Sequence, residues 1–246
     1  MDKELIKKTA RAIRQSQRTV ALTGAGISVE SGIPDFRGAG GLWEKYDPRE
    51  YATIEAFLKN PQKVWAMLLE VGSLLEKSRP NQAHLALAKL EELGYLKAII
   101  TQNIDNLHQA AGSKRVIEFH GNGQEFICLD CRKKYSRQEI NFDILPPRCR
   151  CYGLIKPNIV FFGEPIPWEA LQEARVEAGS CDLMLVIGTS AVVSPACDLP
   201  VMAKLAGATV VEVNLEPTPL TGRISHWLLQ GSASQIMAYI LQEVMV

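Results

Sequence analysis

Along the chain, short apolar runs rich in β-branched residues alternate with longer amphipathic stretches. The runs are Thr19 to Thr23 (TVALT), Leu96 to Thr101 (LKAIIT), Val116 to Phe119 (VIEF), Leu183 to Gly188 (LMLVIG) and Thr209 to Asn214 (TVVEVN). Runs that stay apolar, rather than alternating, predict strands buried on both faces, and helical stretches between them predict that the strands lie parallel. The stretch NQAHLALAKLEELG sets its apolar residues on one face and stops at Gly94, as a helix with a glycine C-cap does. Likewise PWEALQEARVEAG starts with Pro167 near its first turn and is expected to end at Gly179. Pro195 to Gly207 and Ser232 to Val246 predict two further helices, and no internal repeat or low-complexity segment interrupts the pattern.

Two regions break the alternation. From about Gly121 to Pro157 the chain carries four cysteines, several basic residues and the pair Pro146-Pro147, which reads as an inserted module. Pro34 to Gly41 (PDFRGAGG) is too glycine-rich and polar to be an element, so it is expected to be a long loop, and such loops in compact domains are often functional. The expected architecture is therefore α/β: a Rossmann-like parallel sheet built from about 1–120 and 158–246, an inserted helical segment at about 42–80, and a small zinc-binding module at about 121–157.

The tips of the strands carry the chemistry. Gly24-Ala25-Gly26 comes after the first strand, Gln102-Asn103-Ile104-Asp105 after the second, His120-Gly121 after the third, then Thr189-Ser190 and Leu215-Glu216. Ligands of open parallel sheets sit outside the carboxyl ends of the strands, so these five tips are expected to converge on one crevice. The tip TGAGIS suits a phosphate turn, with glycines that let backbone approach a ligand, but Val29 stands where the dinucleotide fingerprint has its third glycine, and a purely structural strand-to-helix turn is the alternative. His120 can serve as a base near neutral pH or be a ring bonded to nearby backbone. Asn103 and Asp105 can address a polar ligand from one side or cap a helix, and Arg37 beside Phe36 offers a charge and an aromatic face or is a mobile loop arginine. His84, His108 and His226 read as structural or surface residues.

Cysteine usage sharpens the picture. The pattern Cys128-x2-Cys131 followed, after residues 132–148, by Cys149-x-Cys151 matches the plan of a structural zinc site, four thiolates around a tetrahedral ion with no open position, against free thiols or a redox pair. The second pair is one residue shorter than usual, which predicts either strain in that knuckle or a site that loses metal readily. Cys181 and Cys197 stand alone and read as small buried apolar residues. With 246 residues, 47% hydrophobic, the chain can bury a sizeable core, and 27 Lys plus Arg balance 27 Asp plus Glu, so no net field favours polyanions. No run approaches the roughly 18 apolar residues of a membrane helix and the start has no apolar signal region, which predicts a cytoplasmic protein without nucleic-acid or membrane partners.

Taken in order, GAGISVESGIPDFRG at 24 to 38, TQNIDNLH at 101 to 108, FHGN at 119 to 122, the cysteine module, KPNIVFFGE at 156 to 164, GTSAVVSPA at 188 to 196 and NLE at 214 to 216 resemble the sirtuins over essentially the whole chain, and the prokaryotic branch in extent. The resemblance implies an NAD-dependent protein-lysine deacylase. In that reading Gly24, Ala25 and Gly26 would receive the NAD diphosphate, and the loop with Phe36 and Arg37 would close over it. Gln102 and Asn103 would hold the nicotinamide-side ribose, Ile104 and Asp105 the carboxamide. Thr189, Ser190, Asn214, Leu215 and Glu216 would line the adenosine end, with Ala233 near the adenine; Ser28, Ile33, Asp35, Trp43 and Gly188 complete the cofactor set.

The implied reaction is attack of the acyl oxygen of an acyl-lysine on the ribose carbon bearing nicotinamide, which leaves. His120, assisted in the catalytic set by Asn103, would then activate a ribose hydroxyl, giving free lysine and acyl-ADP-ribose. Val160, Phe161, Phe162 and Gly163 would offer an unpaired strand edge to an extended acyl-lysine peptide, with Phe162 beside the acyl group. Cys128, Cys131, Cys149 and Cys151 would hold one structural zinc, and the enzyme is expected to be a monomer. Relatives that prefer succinyl carry a Tyr and an Arg three residues on; Leu68 and Val71 fall there, and 64 to 75 contain neither residue, so acetyl or apolar acyl groups are expected. A nicotinamide oxidoreductase, suggested by the GxG turn, and a zinc-ribbon nucleic-acid binder, suggested by the module's basic residues, are the rival classes; charge balance and the crevice motifs argue against both.

Overall fold

In the computed structural model, which describes residues 2–38 and 40–246, the chain opens with helix α1 (Lys3–Gln15), capped by the Asp2 side chain and buried along Ile6, Ala10 and Ile13. Strand β1 (Thr19–Thr23) runs into a 3-10 turn of helix over Ala25–Ser31. Four helices come next, α2 (Leu42–Lys45), α3 (Pro48–Tyr51), α4 (Ile54–Lys59) and α5 (Pro61–Lys77). They lead into α6 (Gln82–Glu92), β2 (Leu96–Thr101), α7 (Leu107–Ala110) and β3 (Val116–Glu118). The antiparallel strands β4 (Gly121–Cys128), β5 (Lys134–Ser136) and β6 (Ile155–Ile159) precede α8 (Trp168–Ser180), β7 (Leu183–Ile187), α9 (Asp198–Leu205), β8 (Thr209–Asn214), β9 (Trp227–Gln230) and α10 (Ala233–Met245).

Six strands form one parallel sheet in the order β3-β2-β1-β7-β8-β9. Successive side chains leave opposite faces of a strand, and each face has its own core. Ala21, Leu183, Leu185 and Ile187 join α1, α6 and α10 on one side; Val20, Leu22, Met184 and Val186 join α8 and α9 on the other. This two-sided burial is why the strands read as unbroken apolar runs. Strand β9 leaves no such run in the sequence, because its four residues lie on the sheet edge with Trp227 and Leu228 half-buried, too short and too mixed to stand out. Gly94 does stop α6, at φ 82, but α8 runs past Gly179 and ends at Ser180 with an extended Cys181 after it.

The second sheet, β5-β4-β6, is small and antiparallel. Its Phe126, Cys128 and Ile155 share a core with Phe57, Val64, Trp65 and Met67 of α4 and α5, and the Trp65 indole donates to the Ile155 carbonyl at 3.1 Å. The helical insertion and the cysteine insertion thus pack on each other, beside the carboxyl ends of the large sheet. No helix of the described residues is long and apolar enough to cross a membrane.

Candidate active site

The sheet order reverses between β1 and β7, and the tips of both strands meet there. The Gly24 and Gly26 amides donate to the Ile187 and Gly188 carbonyls at 3.1 and 2.8 Å. A Cβ on Gly24 would stand 2.8 Å from Thr189 Cβ, and one on Gly26 2.8 Å from the Gly188 carbonyl oxygen. These two glycines are therefore required by backbone packing, and their amides are already used. At the start of the 3-10 helix the Ala25 amide has no acceptor inside the helix, which leaves it for an anion. The close backbone approach that the two glycines permit is thus seen here between the two strand tips.

The neighbouring tips are tied to this turn. Gln102 Nε2 donates to Thr189 Oγ1 at 3.0 Å, Asn214 Nδ2 to the Thr189 carbonyl at 3.2 Å, and Asn103 Nδ2 to the Gly24 carbonyl and Ser28 Oγ at 3.1 and 3.2 Å. Asp105 receives Ser28 Oγ at 2.7 Å on one carboxylate oxygen and the Leu107 amide at 2.9 Å on the other. Asp105 thus sits one residue before the Asn106 N-cap of α7 and ties the first helical amide to Ser28. Ile104 is fixed by its carbonyl, which accepts the Gly123 amide at 3.1 Å, at a position where a Cβ on Gly123 would come within 2.8 Å of the same oxygen.

His120 stands just after β3, as expected. Its Nδ1 lies 3.0 Å from the Gln102 carbonyl oxygen. A carbonyl only accepts, so Nδ1 carries the proton and Nε2 keeps its lone pair. Burial pulls its pKa below the ordinary imidazole value, against the Gln102 carbonyl, which favours the charged ring. The ring is thus both bonded to backbone and a neutral base at pH 7. His84 and His108 lie with ring centroids 4.9 Å apart and planes tilted by 59°, both buried, and His108 Nε2 meets Thr23 Oγ1 at 2.9 Å. Burial pulls His84 down to about 4 against the Asp105 charge, and holds His108 well below its usual value, with His84 adding to the effect. His226 Nδ1 accepts the Val210 amide. These three are structural, as their sequence surroundings suggest.

Other expected site residues are less gathered. Asp35 turns its carboxylate onto its own loop, accepting the Gly38 amide at 2.7 Å, while Phe36 and Trp43 pair at 4.9 Å between ring centroids; Ile33 is buried and Arg37 exposed. Ser190, Leu215 and Glu216 are exposed at their strand tips, and Ala233 is buried at the start of α10. Phe161 is 4% exposed and stacks on Phe57 at 5.5 Å, so it belongs to the small core, whereas Phe162 is 43% exposed. The Val160 amide goes to the His120 carbonyl, the Phe162 amide and carbonyl to Ala52 and Ile54, and the Phe161 amide to Glu164. The edge expected to be open over 160 to 163 is thus mostly occupied within the chain, and Gly163 is its free end. The sequence also leaves unseen a bond set next to the second tip, in which Asn122 Nδ2 donates to both Glu118 and Asn106. Asn122 lies in FHGN, but nothing in the sequence shows its partner.

The four thiols come together, with every pair of sulfurs within 4.8 Å and both Cys128–Cys151 and Cys131–Cys149 at 3.5 Å. Zinc–sulfur bonds of about 2.3 Å place tetrahedral sulfurs about 3.8 Å apart, so this set fits a structural zinc ion. Directly after each pair one residue is left-handed, Arg132 at φ 61 and Tyr152 at φ 69, and its amide closes the knuckle onto the carbonyl of the first cysteine, Cys128 and Cys149 respectively.

A parallel sheet with its ligand tips at a topological switch point defines the doubly wound nucleotide-binding class. The family is narrower. Residues 24–195 match the model described as Sir2 family. An NAD-dependent protein deacylase 2 of Archaeoglobus fulgidus is 47% identical over 244 residues, 97% of this chain and 96% of that protein. A Sir2 homolog solved as an NAD complex matches with a TM-score of 0.91 at 42% identity, covering 100% of this chain and 94% of that one. A Sir2 chain solved with a deacetylated p53 peptide and 3′-O-acetyl ADP ribose matches with a TM-score of 0.91 at 41% identity, over 97% and 98%. This chain belongs to the Sir2 family.

Proposed function

We propose that this protein is an NAD-dependent protein-lysine deacylase that moves the acyl group of an acyl-lysine onto ADP-ribose and releases nicotinamide. The observation that carries the reading is His120: a buried, neutral imidazole whose proton is fixed on Nδ1 by the Gln102 carbonyl, so that Nε2 can take a proton from a hydroxyl. NAD supplies the ADP-ribose acceptor and the nicotinamide leaving group. Ala25 offers its amide to the diphosphate, Gln102 and Asn103 face the ribose next to His120, and Asp105 holds the nicotinamide carboxamide from the Ser28 side. Thr189 and Asn214 close the adenosine end, and the Phe36–Trp43 loop covers the crevice. The small lobe, with its zinc, forms one wall of the acyl-peptide site through Phe162 and Gly163.

The acyl group is acetyl or apolar. Leu68 and Val71 lie on α5, half-buried against the small-lobe core, and residues 64 to 75 offer no Tyr or Arg. A carboxylate buried there without a partner costs several kcal/mol. The partners are acyl-lysine proteins or peptides, bound by a monomer; the even charge balance supports leaving nucleic acid aside. Incubation with NAD and either acetyl- or succinyl-lysine versions of one peptide, followed by mass spectrometry, tests both parts. Nicotinamide and acyl-ADP-ribose with the acetyl peptide are expected; their absence overturns the activity, and equal or higher kcat/KM for succinyl overturns the preference.

A further inference from the structure

Lys156 is the odd residue of β6. Its side chain is 5% exposed, and an amine is rarely taken out of water without partners. Nζ donates to Glu164 Oε2 at 3.0 Å and to the carbonyls of Pro157 and Ile159, and sits 5.2 Å from the centre of the Phe161 ring. The same Glu164 oxygen accepts the Phe161 amide at 2.9 Å, while the Glu164 amide donates back to the Phe161 carbonyl at 3.0 Å. The Glu164 carboxylate thus closes the turn 161–164, which passes through Gly163 at φ 88, and the Lys156 ammonium ties that carboxylate to the Pro157 and Ile159 carbonyls at the end of β6.

That turn joins two things the reaction needs. Upstream, the Val160 amide is bonded to the His120 carbonyl at 2.9 Å; downstream, Phe162 is bonded on both sides to Ala52 and Ile54 and leaves its ring exposed. Neither Lys156 nor Glu164 bonds any residue of the glycine turn or of the Thr189 and Asn214 tips. Among the described residues, Lys156 has no carboxylate within ion-pair distance other than Glu164.

We infer that the Lys156–Glu164 pair positions the acyl-peptide side of the site, holding the Phe161–Gly163 turn in the shape that presents the Phe162 ring and the free Gly163 backbone to the substrate. The inference rests on the deacylase reading. It separates the pair from a mere staple of the fold, because an ion pair used only for packing can be exchanged for apolar side chains of similar volume with little loss. An apolar pair at 156 and 164 leaves the Phe161 amide without its acceptor and the turn free to open.

The test compares wild type, Lys156→Met/Glu164→Leu, which removes both charges together and is the variant safer for folding, and Glu164→Gln, which keeps an oxygen for the Phe161 amide but leaves the Lys156 ammonium without its carboxylate. Affinity for an acetyl-lysine peptide is measured without turnover, by fluorescence anisotropy in the presence of ADP-ribose, alongside ADP-ribose affinity, Tm and steady-state kinetics. Loss of a charge-assisted bond in the turn predicts peptide Kd and KM raised about tenfold in the double variant and about threefold in Glu164→Gln, with kcat and ADP-ribose affinity nearly unchanged. Unchanged peptide Kd in both variants overturns the inference, as does a parallel loss of peptide affinity, ADP-ribose affinity and Tm. Absence of product from wild type overturns the deacylase reading instead, and peptide Kd still decides this one.

Discussion

The two sheets of this molecule are held by different means. The parallel sheet is sealed on both faces by separate apolar cores, and its central strands β1 and β7 are buried throughout. The three-stranded sheet has one shared core to lean on, and two of its members, Cys128 and Cys149, are also metal-fitting thiols. The first should stand without a ligand. The second holds a thiol set that fits a zinc ion, and the 161–164 turn proposed to face the acyl peptide follows directly on its strand β6. A catalytic crevice built on the stable lobe can thus be shaped by a lobe of lower intrinsic stability.

The largest effect should come from breaking the thiol cluster. Structural zinc contributes on the order of 10 kcal/mol to the folding of small metal modules, a large part of a typical protein's margin of roughly 5–15 kcal/mol. Elemental analysis is expected to find about one zinc per chain, and Cys128→Ala is expected to lose it together with order in 121–159 while the parallel sheet keeps its hydrogen-exchange protection. Uniform loss of protection across both sheets would erase the contrast.

Acid probes the other lobe. His84 is fully buried and titrates near 4 in the folded protein against 6.5 when exposed. Above pH 6.5 both states are neutral and stability is complete; as pH falls from 6.5 towards 4, only the unfolded chain takes the proton, at a cost reaching about 3 kcal/mol. Urea midpoints across this range should fall in wild type and fall less in His84→Gln, which separates the imidazole from acid release of metal. Equal slopes in the two proteins would contradict the assignment.

The smallest effect sharpens the same comparison from within the cysteine lobe. Tyr152 holds a left-handed conformation that costs a non-glycine residue about 1–2 kcal/mol, and its side chain is 82% exposed, so little packing is lost on removal. Glycine regains part of that through the folded state and loses part through a freer unfolded chain. Tyr152→Gly is expected to raise the stability of the small lobe by at most about 1 kcal/mol, read as tighter zinc retention against a chelator; faster zinc loss would mean that the turn is not strained.

Legibility in the sequence divides along the same line. The four inner strands of the parallel sheet, β1, β2, β7 and β8, are bounded in the sequence to within a residue or so, because continuous burial writes a continuous apolar run, and edge strand β3 is legible from VIEF although only its Ile117 is buried. Edge strand β9 and the strands β4 to β6 leave no such trace: half-exposed, short and partly held by thiols, they need tertiary partners to be seen. The crevice is legible as a set of tips, but the bonds that join them are not. Nothing in TGAGIS says that both glycine amides are consumed by Ile187 and Gly188, and nothing in KPNIVFFGE says that Lys156 folds back on Glu164. Phe161 and Phe162 differ only by which face of the turn they occupy, a distinction that adjacent identical residues cannot reveal.

The central claim is that one neutral imidazole, aimed by a backbone carbonyl, does the proton transfer in a crevice otherwise built for binding. It is tested most directly by His120→Ala, with deacylation of an acetyl-lysine peptide and NAD affinity measured on the same preparation. Removal of a general base predicts a fall in turnover of about 10²–10⁴-fold, with NAD affinity and Tm nearly unchanged and, in wild type, an acid limb of kcat/KM whose midpoint lies below the ordinary imidazole value. Turnover retained within a few-fold of wild type would contradict it.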